Sequence, residues 1–109
     1  MGCLYYGSSG YAIHIEDRSL AHLKVAILTL LRAEKSIAFS YSKCVSDGSG
    51  RDTLWITPRT DIRFHFDGNR PPRLNEAWIK AIIDTSTAPT GLRLVAEAEA
   101  MQVSIPQPA

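Results

Sequence analysis

Three histidines, two cysteines and a late run of arginines are the side chains in this sequence with chemistry to offer. His14, His22 and His65 could gather on a metal, or one of them could act as a general base. Asp17 could orient His22 toward a serine, because such triads are defined by geometry and not by chain order. The spacing argues against each of these. No H-E-x-x-H, paired C-x-x-C or G-x-S-x-G is present, the three histidines fall on three different predicted elements, and no glycine precedes a lysine as a phosphate-binding loop requires. Gly48 and Gly50 lack the third glycine of a dinucleotide fingerprint. Asp17 therefore reads as a helix cap and His22 as a partly exposed helical position. No catalytic residue, metal or cofactor is assigned. Cys3 and Cys44 read as reduced thiols, with a bridge between them left open.

One asymmetry stands above this background. Between residues 51 and 93 six of the seven basic residues are arginine. Its planar fork grips carboxylates and phosphates in pairs and stacks on aromatic rings. If Leu54, Ile56, Ile62, Phe64 and Phe66 point inward along two strands, alternation turns Trp55, Arg63 and His65 outward. With Arg59, Arg70 and Arg73 nearby, these form the candidate binding surface: Trp55, Arg59, Arg63, His65, Arg70 and Arg73. Trp78, among isoleucines, reads as core.

The elements that would position these residues follow from periodicity. Leu4–Tyr6 and Tyr11–Ile15 are β-rich and joined by a glycine-serine turn, which predicts a hairpin. Asp17 or Ser19 can cap a helix whose apolar residues Leu20, Leu23, Ile27, Leu30 and Leu31 recur at helical spacing, ending near residues 32–35. The period then becomes two. Strands over Ser36–Ser42, Asp52–Thr57 and Asp61–Asp67 predict a three-stranded meander, with a turn at Ser46–Gly50 and a stop at Pro58. Asn75 can cap a second helix, with Leu74 and Ile79 as its flanking apolar pair and Trp78, Ile79, Ile82 and Ile83 as its buried face. Leu92–Val95 reads as a last strand. The fold class is α+β, a two-layer sandwich of mostly antiparallel sheet with two helices on one face, in the order β-β-α-β-β-β-α-β.

Length and charge set the outer bounds. A chain of 109 residues is one domain's worth, with 45% hydrophobic and 21% charged residues and a net charge of +1. A domain over residues 1–95 followed by a flexible acidic tail over residues 96–109 is expected. The tail holds Glu97 and Glu99 and no base, so the charge without it is +3. No apolar run approaches the roughly 20 residues of a membrane span, and the first residues carry no basic start of a secretory signal. The expectation is a cytoplasmic protein with no membrane partner.

With these motifs placed, the sequence resembles a family of small uncharacterised actinobacterial proteins, a domain of unknown function commonly mislabelled "ATP-dependent DNA ligase". Residues 1–97 carry the resemblance. Its motifs are Met1-Gly2-x-Leu4-x-Tyr6-Gly7, Asp17-Arg18-x-Leu20-Ala21-His22-Leu23-Lys24-Val25, and Leu31-Arg32 followed by Glu34 and Ser36. They continue through Gly50-Arg51, Trp55-Ile56-x-Pro58, Phe64-x-Phe66-x-Gly68-x-Arg70-x-Pro72-x-Leu74-Asn75-x-x-Trp78 and Gly91-Leu92-x-Leu94-Val95. The resemblance implies no established activity and no site residues. Ligase chemistry would require the lysine of a K-x-D-G motif, and none of Lys24, Lys35, Lys43 and Lys80 is followed by it. The chain also lacks room for a nucleotidyltransferase domain, so ligase activity is rejected.

The sequence thus favours a non-catalytic binding or regulatory module that engages a protein partner, or itself as a homo-oligomer, through an outer sheet face or an exposed edge strand. The alternative is a nucleic acid accessory protein holding single strands on the arginine and tryptophan face. A small enzyme using His22 or His65 is the third and least supported reading.

Overall fold

A computed structural model describes residues 2–42 and 50–104. It is an α+β fold in the expected order. The elements are β1 (Gly2–Tyr6), β2 (Tyr11–Ile15), α1 (Asp17–Arg32), β3 (Ile37–Ser42), β4 (Arg51–Ile56), β5 (Ile62–His65), α2 (Glu76–Asp84) and α3 (Glu97–Ser104). The eighth expected element, the last strand, is present as one parallel bridge between Leu92 and Phe39. The Ser46–Gly50 turn lies outside the described residues apart from Gly50, and so does Cys44.

The first hairpin forms as its residues dictate. Gly7 and Gly10 take φ of +75° and +69°, and Gly10 N–H donates to the Gly7 carbonyl at 3.1 Å, so the chain reverses and Leu4 comes opposite Ile13. In α1, Leu20, Leu23 and Ile27 are fully buried. The helix ends with Glu34 at φ 60°, in the left-handed region where glycine is usual. Glu34 N–H donates to Leu31 and Lys35 N–H to Leu30, the paired bonds of a Schellman cap. Asn75 caps α2 as its type suggests, its side-chain oxygen accepting from Ala77 N–H at 3.1 Å and Trp78 N–H at 3.4 Å.

Two expectations are corrected here. The meander does not form. β3 and β4 pair antiparallel in one sheet, whereas β5 leaves β4 and joins the far edge of β1, giving a second sheet ordered β2-β1-β5. Pro58 sits in a turn fixed by Thr57 and Thr60, whose hydroxyls lie 3.1 Å apart, and beyond it Phe64 comes opposite buried Leu4. The apolar alternation of β5 is thus satisfied by a strand remote in sequence. The two sheets are not closed into a barrel.

The second correction concerns Asp17. It is the first residue of α1, no side-chain bond caps that helix, and the carboxylate instead accepts from Gly68 N–H at 2.8 Å and Asp67 N–H at 3.4 Å. A local cap is replaced by a tether to the end of β5.

Of the tail expected over residues 96–109, residues 105–109 lie outside the described residues. Residues 97–104 continue as α3 against α2, with Ala100 buried in the core. Glu97 lies in the helix layer, bonded to α1. The helices pack together over β1 and β3, and Phe39, Ile56, Ile82 and Leu92 complete the core with no solvent exposure beyond 1%.

Candidate functional site

The six residues singled out from the sequence are spread over strands of two sheets, a turn and a loop. Trp55 projects from β4 and is 60% exposed. Arg63 and His65 stand on β5, in the other sheet, where Arg63 lies opposite Tyr5 with its guanidinium 4.6 Å from the ring centre. His65 lies opposite Cys3 and its Nε2 is 3.3 Å from Asp67 Oδ1. Arg59 occupies the turn between the sheets, its N–H donating to Thr57 Oγ1 at 3.2 Å. Arg70 borders a cleft against α1, and Arg73 is exposed while its carbonyl accepts from Arg18 Nη1 at 3.0 Å.

Sequence reasoning missed a row across the outer face of the β2-β1-β5 sheet. His14, Cys3 and His65 are direct neighbours there, with Cys3 Sγ 3.1 Å from His14 Nδ1. The hairpin register alone brings His14 opposite Cys3, so half of the row was within reach of the sequence. Among the described residues no group of three histidine, cysteine, aspartate or glutamate side chains is arranged to hold a metal ion.

Two concave regions were not foreseen. The first is an open seam of about 660 Å³ between β2 and β3, bordered by His14, Glu16, Ser40, Ser42, Arg51 and Arg93. β2 is an edge strand, and among the described residues its backbone bonds only to β1. The opposite edge of β3 is met only around Leu92, which donates to Ala38 at 2.7 Å and accepts from Ser40 at 2.9 Å. At one end the Tyr41 and Tyr11 hydroxyls meet at 3.2 Å, each also within 3.4 Å of Asp52 Oδ2. Two tyrosines meeting tip to tip span more than the roughly 4.8 Å between paired strands, so β2 and β3 stand too far apart to bond directly. Burial, followed by the bond to Tyr11, pushes the Tyr41 hydroxyl above its ordinary pKa.

The second region is a cleft of about 370 Å³ between α1 and the segment 66–74. Ala21, Val25, Phe66, Pro72 and half-exposed Leu74 give it apolar walls, and Lys24 and Arg70 stand on its rim. Lys24 Nζ is 5.6 Å from the Phe66 ring centre, and among the described residues neither cation forms an ion pair. Asp17 also borders the cleft. Its carboxyl is held below the usual range chiefly by Gly68 N–H, while burial opposes the shift.

The polar groups at the heart of the helix layer are engaged in structure. His22, expected to be partly exposed, is fully buried. Its Nδ1 is 2.8 Å from the Arg18 carbonyl and its Nε2 accepts from Asn75 N–H at 2.8 Å. A carbonyl only accepts and a backbone N–H only donates, so Nδ1 carries the proton and both ring nitrogens are occupied. The ring stacks on Trp78 at 4.3 Å, and Trp78 Nε1 donates to the Val95 carbonyl at 2.7 Å. Arg18 grips both oxygens of Glu97, at 3.0 and 2.7 Å, and Asn75 Nδ2 adds a third bond at 3.0 Å. The Arg18 bond first, then Asn75, holds the Glu97 carboxyl down to about 2, and the same pairing raises Arg18. No helix among the described residues is long and apolar enough to cross a membrane.

Comparison with known proteins adds one match. A family model described as "Domain of unknown function (DUF7882)" covers residues 1–97. No curated protein matches the chain. No solved structure matches it either.

Proposed function

We propose that this chain, which belongs to the DUF7882 family of domains of unknown function, is a non-catalytic module that binds a protein partner by taking an extended segment along the free edge of β2. The observation that carries this reading is the seam, where the outer edge of β2, bonded to no strand but β1 among the described residues, faces β3 across a gap. An edge strand is a template for another strand, and strand addition is a recurring way of recognising peptides. Arg51 and Glu16 both border the seam and Arg93 pairs with Glu99 at 3.7 Å, so the seam selects by strand pairing and not by net charge. The occupation of both nitrogens of His22 supports the non-catalytic part of the reading. The single-strand nucleic acid reading asked for Trp55, Arg63 and His65 on one platform. Their separation on two sheets favours the protein partner.

The test is photo-crosslinking with His14→p-benzoylphenylalanine in the full chain, followed by titration of the captured segment, as a synthetic peptide, into isotope-labelled wild-type protein. Binding should shift the amide signals of residues 11–15 and 40–42 and slow hydrogen exchange along β2. A peptide that shifts neither strand, or the absence of any specific adduct, overturns the reading.

A further inference from the structure

The cleft beside Arg70 is the end of a longer apolar groove. A second depression, of about 400 Å³, lies between α1 and α2 and shares Val25 and Leu74 with the first. Its remaining border is Ile79 and Ile83 on α2, with Glu76 and Lys80 at the rim. The two hollows form one run crossing both helices, and each falls in the lower part of the roughly 300 to 1,000 Å³ typical of ligand sites.

The groove's walls carry a periodicity. Ala21 and Val25 on α1, and Ile79 and Ile83 on α2, are four residues apart, so each helix presents a ridge with the spacing of a helical face. A groove between two such ridges accepts the apolar face of a third helix, which anchors through residues at positions i, i+3, i+4 and i+7. Leu74 stands between the hollows with 47% of its surface in water, although it is apolar. Val25 joins the hollows on the α1 side.

Charge selects the partner. Lys24 and Arg70 stand at one end, and neither forms an ion pair among the described residues. Asp17 also borders this end, its carboxylate accepting from Asp67 and Gly68 N–H, so two cations there face one anion. At the other end Lys80 pairs with Asp84 at 3.1 Å and Glu76 also borders the hollow, so that end carries a slight negative excess. The groove is therefore apolar along its length and cationic at one end.

We infer that this groove is a docking site for an amphipathic helical segment of a partner protein whose apolar face is flanked by acidic side chains at the end meeting Lys24 and Arg70. The site is separate from the seam between β2 and β3 and does not depend on strand addition there.

The probe is a fluorescein-labelled 14-residue helical peptide with leucine at i, i+3, i+4 and i+7 and glutamate at the flanking positions, measured by fluorescence polarisation against the full chain. A second peptide carries lysine in place of every glutamate. The acidic peptide should bind at least tenfold more tightly at low salt, with the preference shrinking as salt is raised. Lys24→Glu with Arg70→Glu should abolish or reverse that preference. Leu74→Asp, on a half-exposed side chain, should weaken both peptides at least tenfold. Circular dichroism of each variant verifies the fold. His14→Asp, which alters the seam, should leave binding unchanged, so the two surfaces succeed or fail separately. Equal binding of the two peptides, no binding of the acidic one at 1 mM, or insensitivity to Leu74→Asp overturns the inference.

Discussion

His22→Phe isolates one buried hydrogen bond. The phenyl ring keeps the stacking that His22 makes on Trp78 at 4.3 Å, but it cannot accept from Asn75 N–H, which the Nε2 atom receives at 2.8 Å. The Arg18 carbonyl keeps the backbone N–H of residue 22 as its partner within α1, so only the Asn75 donor is stranded. Leaving one buried donor unsatisfied costs about 1–3 kcal/mol. His22→Ala strands the same donor and also removes the ring from a fully buried position, adding about 2–4 kcal/mol of lost contact and cavity. The expected order is wild type, then Phe lower by about 2 kcal/mol, then Ala lower by about 5. In a domain of this size 1 kcal/mol corresponds to about 4 °C in Tm, so the Phe variant should melt about 8 °C earlier. Urea unfolding followed by circular dichroism measures the differences, provided the slope m is the same for all three proteins. His14→Phe, on an exposed strand position, controls for the substitution itself. If His22→Phe lies within about 0.5 kcal/mol of wild type, the Asn75 bond does not have the role assigned to it here.

Two further outcomes follow from the same contacts. Glu97 has its carboxyl lowered from 4.5 to about 2 in the folded protein, first by Arg18 and then by Asn75. A carboxylate lowered on folding stabilises above its unfolded value, and that contribution fades as pH falls toward the folded value. Thermal melts at pH 6, 4.5, 3.5 and 2.5 should therefore show wild type above Glu97→Gln at pH 6 and the gap narrowing steadily below 4.5; a gap independent of pH contradicts the pairing. Gly91 has φ +82° and would place an added Cβ against the Ala38 carbonyl, whereas Gly7, at φ +75°, has nothing within 4 Å. Gly91→Ala should thus add a steric penalty to the ~1–2 kcal/mol of left-handed strain common to both. Equal melting temperatures for Gly91→Ala and Gly7→Ala refute the close approach.

What the sequence made legible was local. The hairpin, the span of α1 and the Asn75 cap each depend on neighbours within a few positions, and each appears where period and residue type place it. β5 could be recognised as a strand by its alternation, but alternation names no partner. Its choice of β1 over β4 depends on Leu4 meeting Phe64 across some sixty residues of chain. His22 reads as partly exposed by its type, although its position four residues before buried Ala26 places it on the inner arc of the helix. The composition of residues 96–104 looked like a solvated acidic segment because Arg18, the partner that draws Glu97 inward, lies at the opposite end of the chain. The seam and the groove were invisible for the same reason, since each is bordered by elements that only the long-range topology brings together.

The long-range contacts also separate what stabilises the fold from what remains for binding. Arg18, His22, Asn75, Trp78 and Glu97 hold three helices together, and every hydrogen-bonding side-chain atom buried among the described residues has a partner. A polar group already bonded inside the protein gains little from a ligand, since the new bond must first replace the old one. On the proposed reading, recognition falls to groups with capacity left: the outer edge of β2, and Lys24 and Arg70 beside an apolar groove. Both surfaces lie outside the Arg18–Glu97 network. Substitutions in that network should accordingly lower the melting temperature and weaken binding only in proportion to the unfolded fraction. Substitutions at the seam or groove should weaken binding while leaving the melting temperature nearly unchanged.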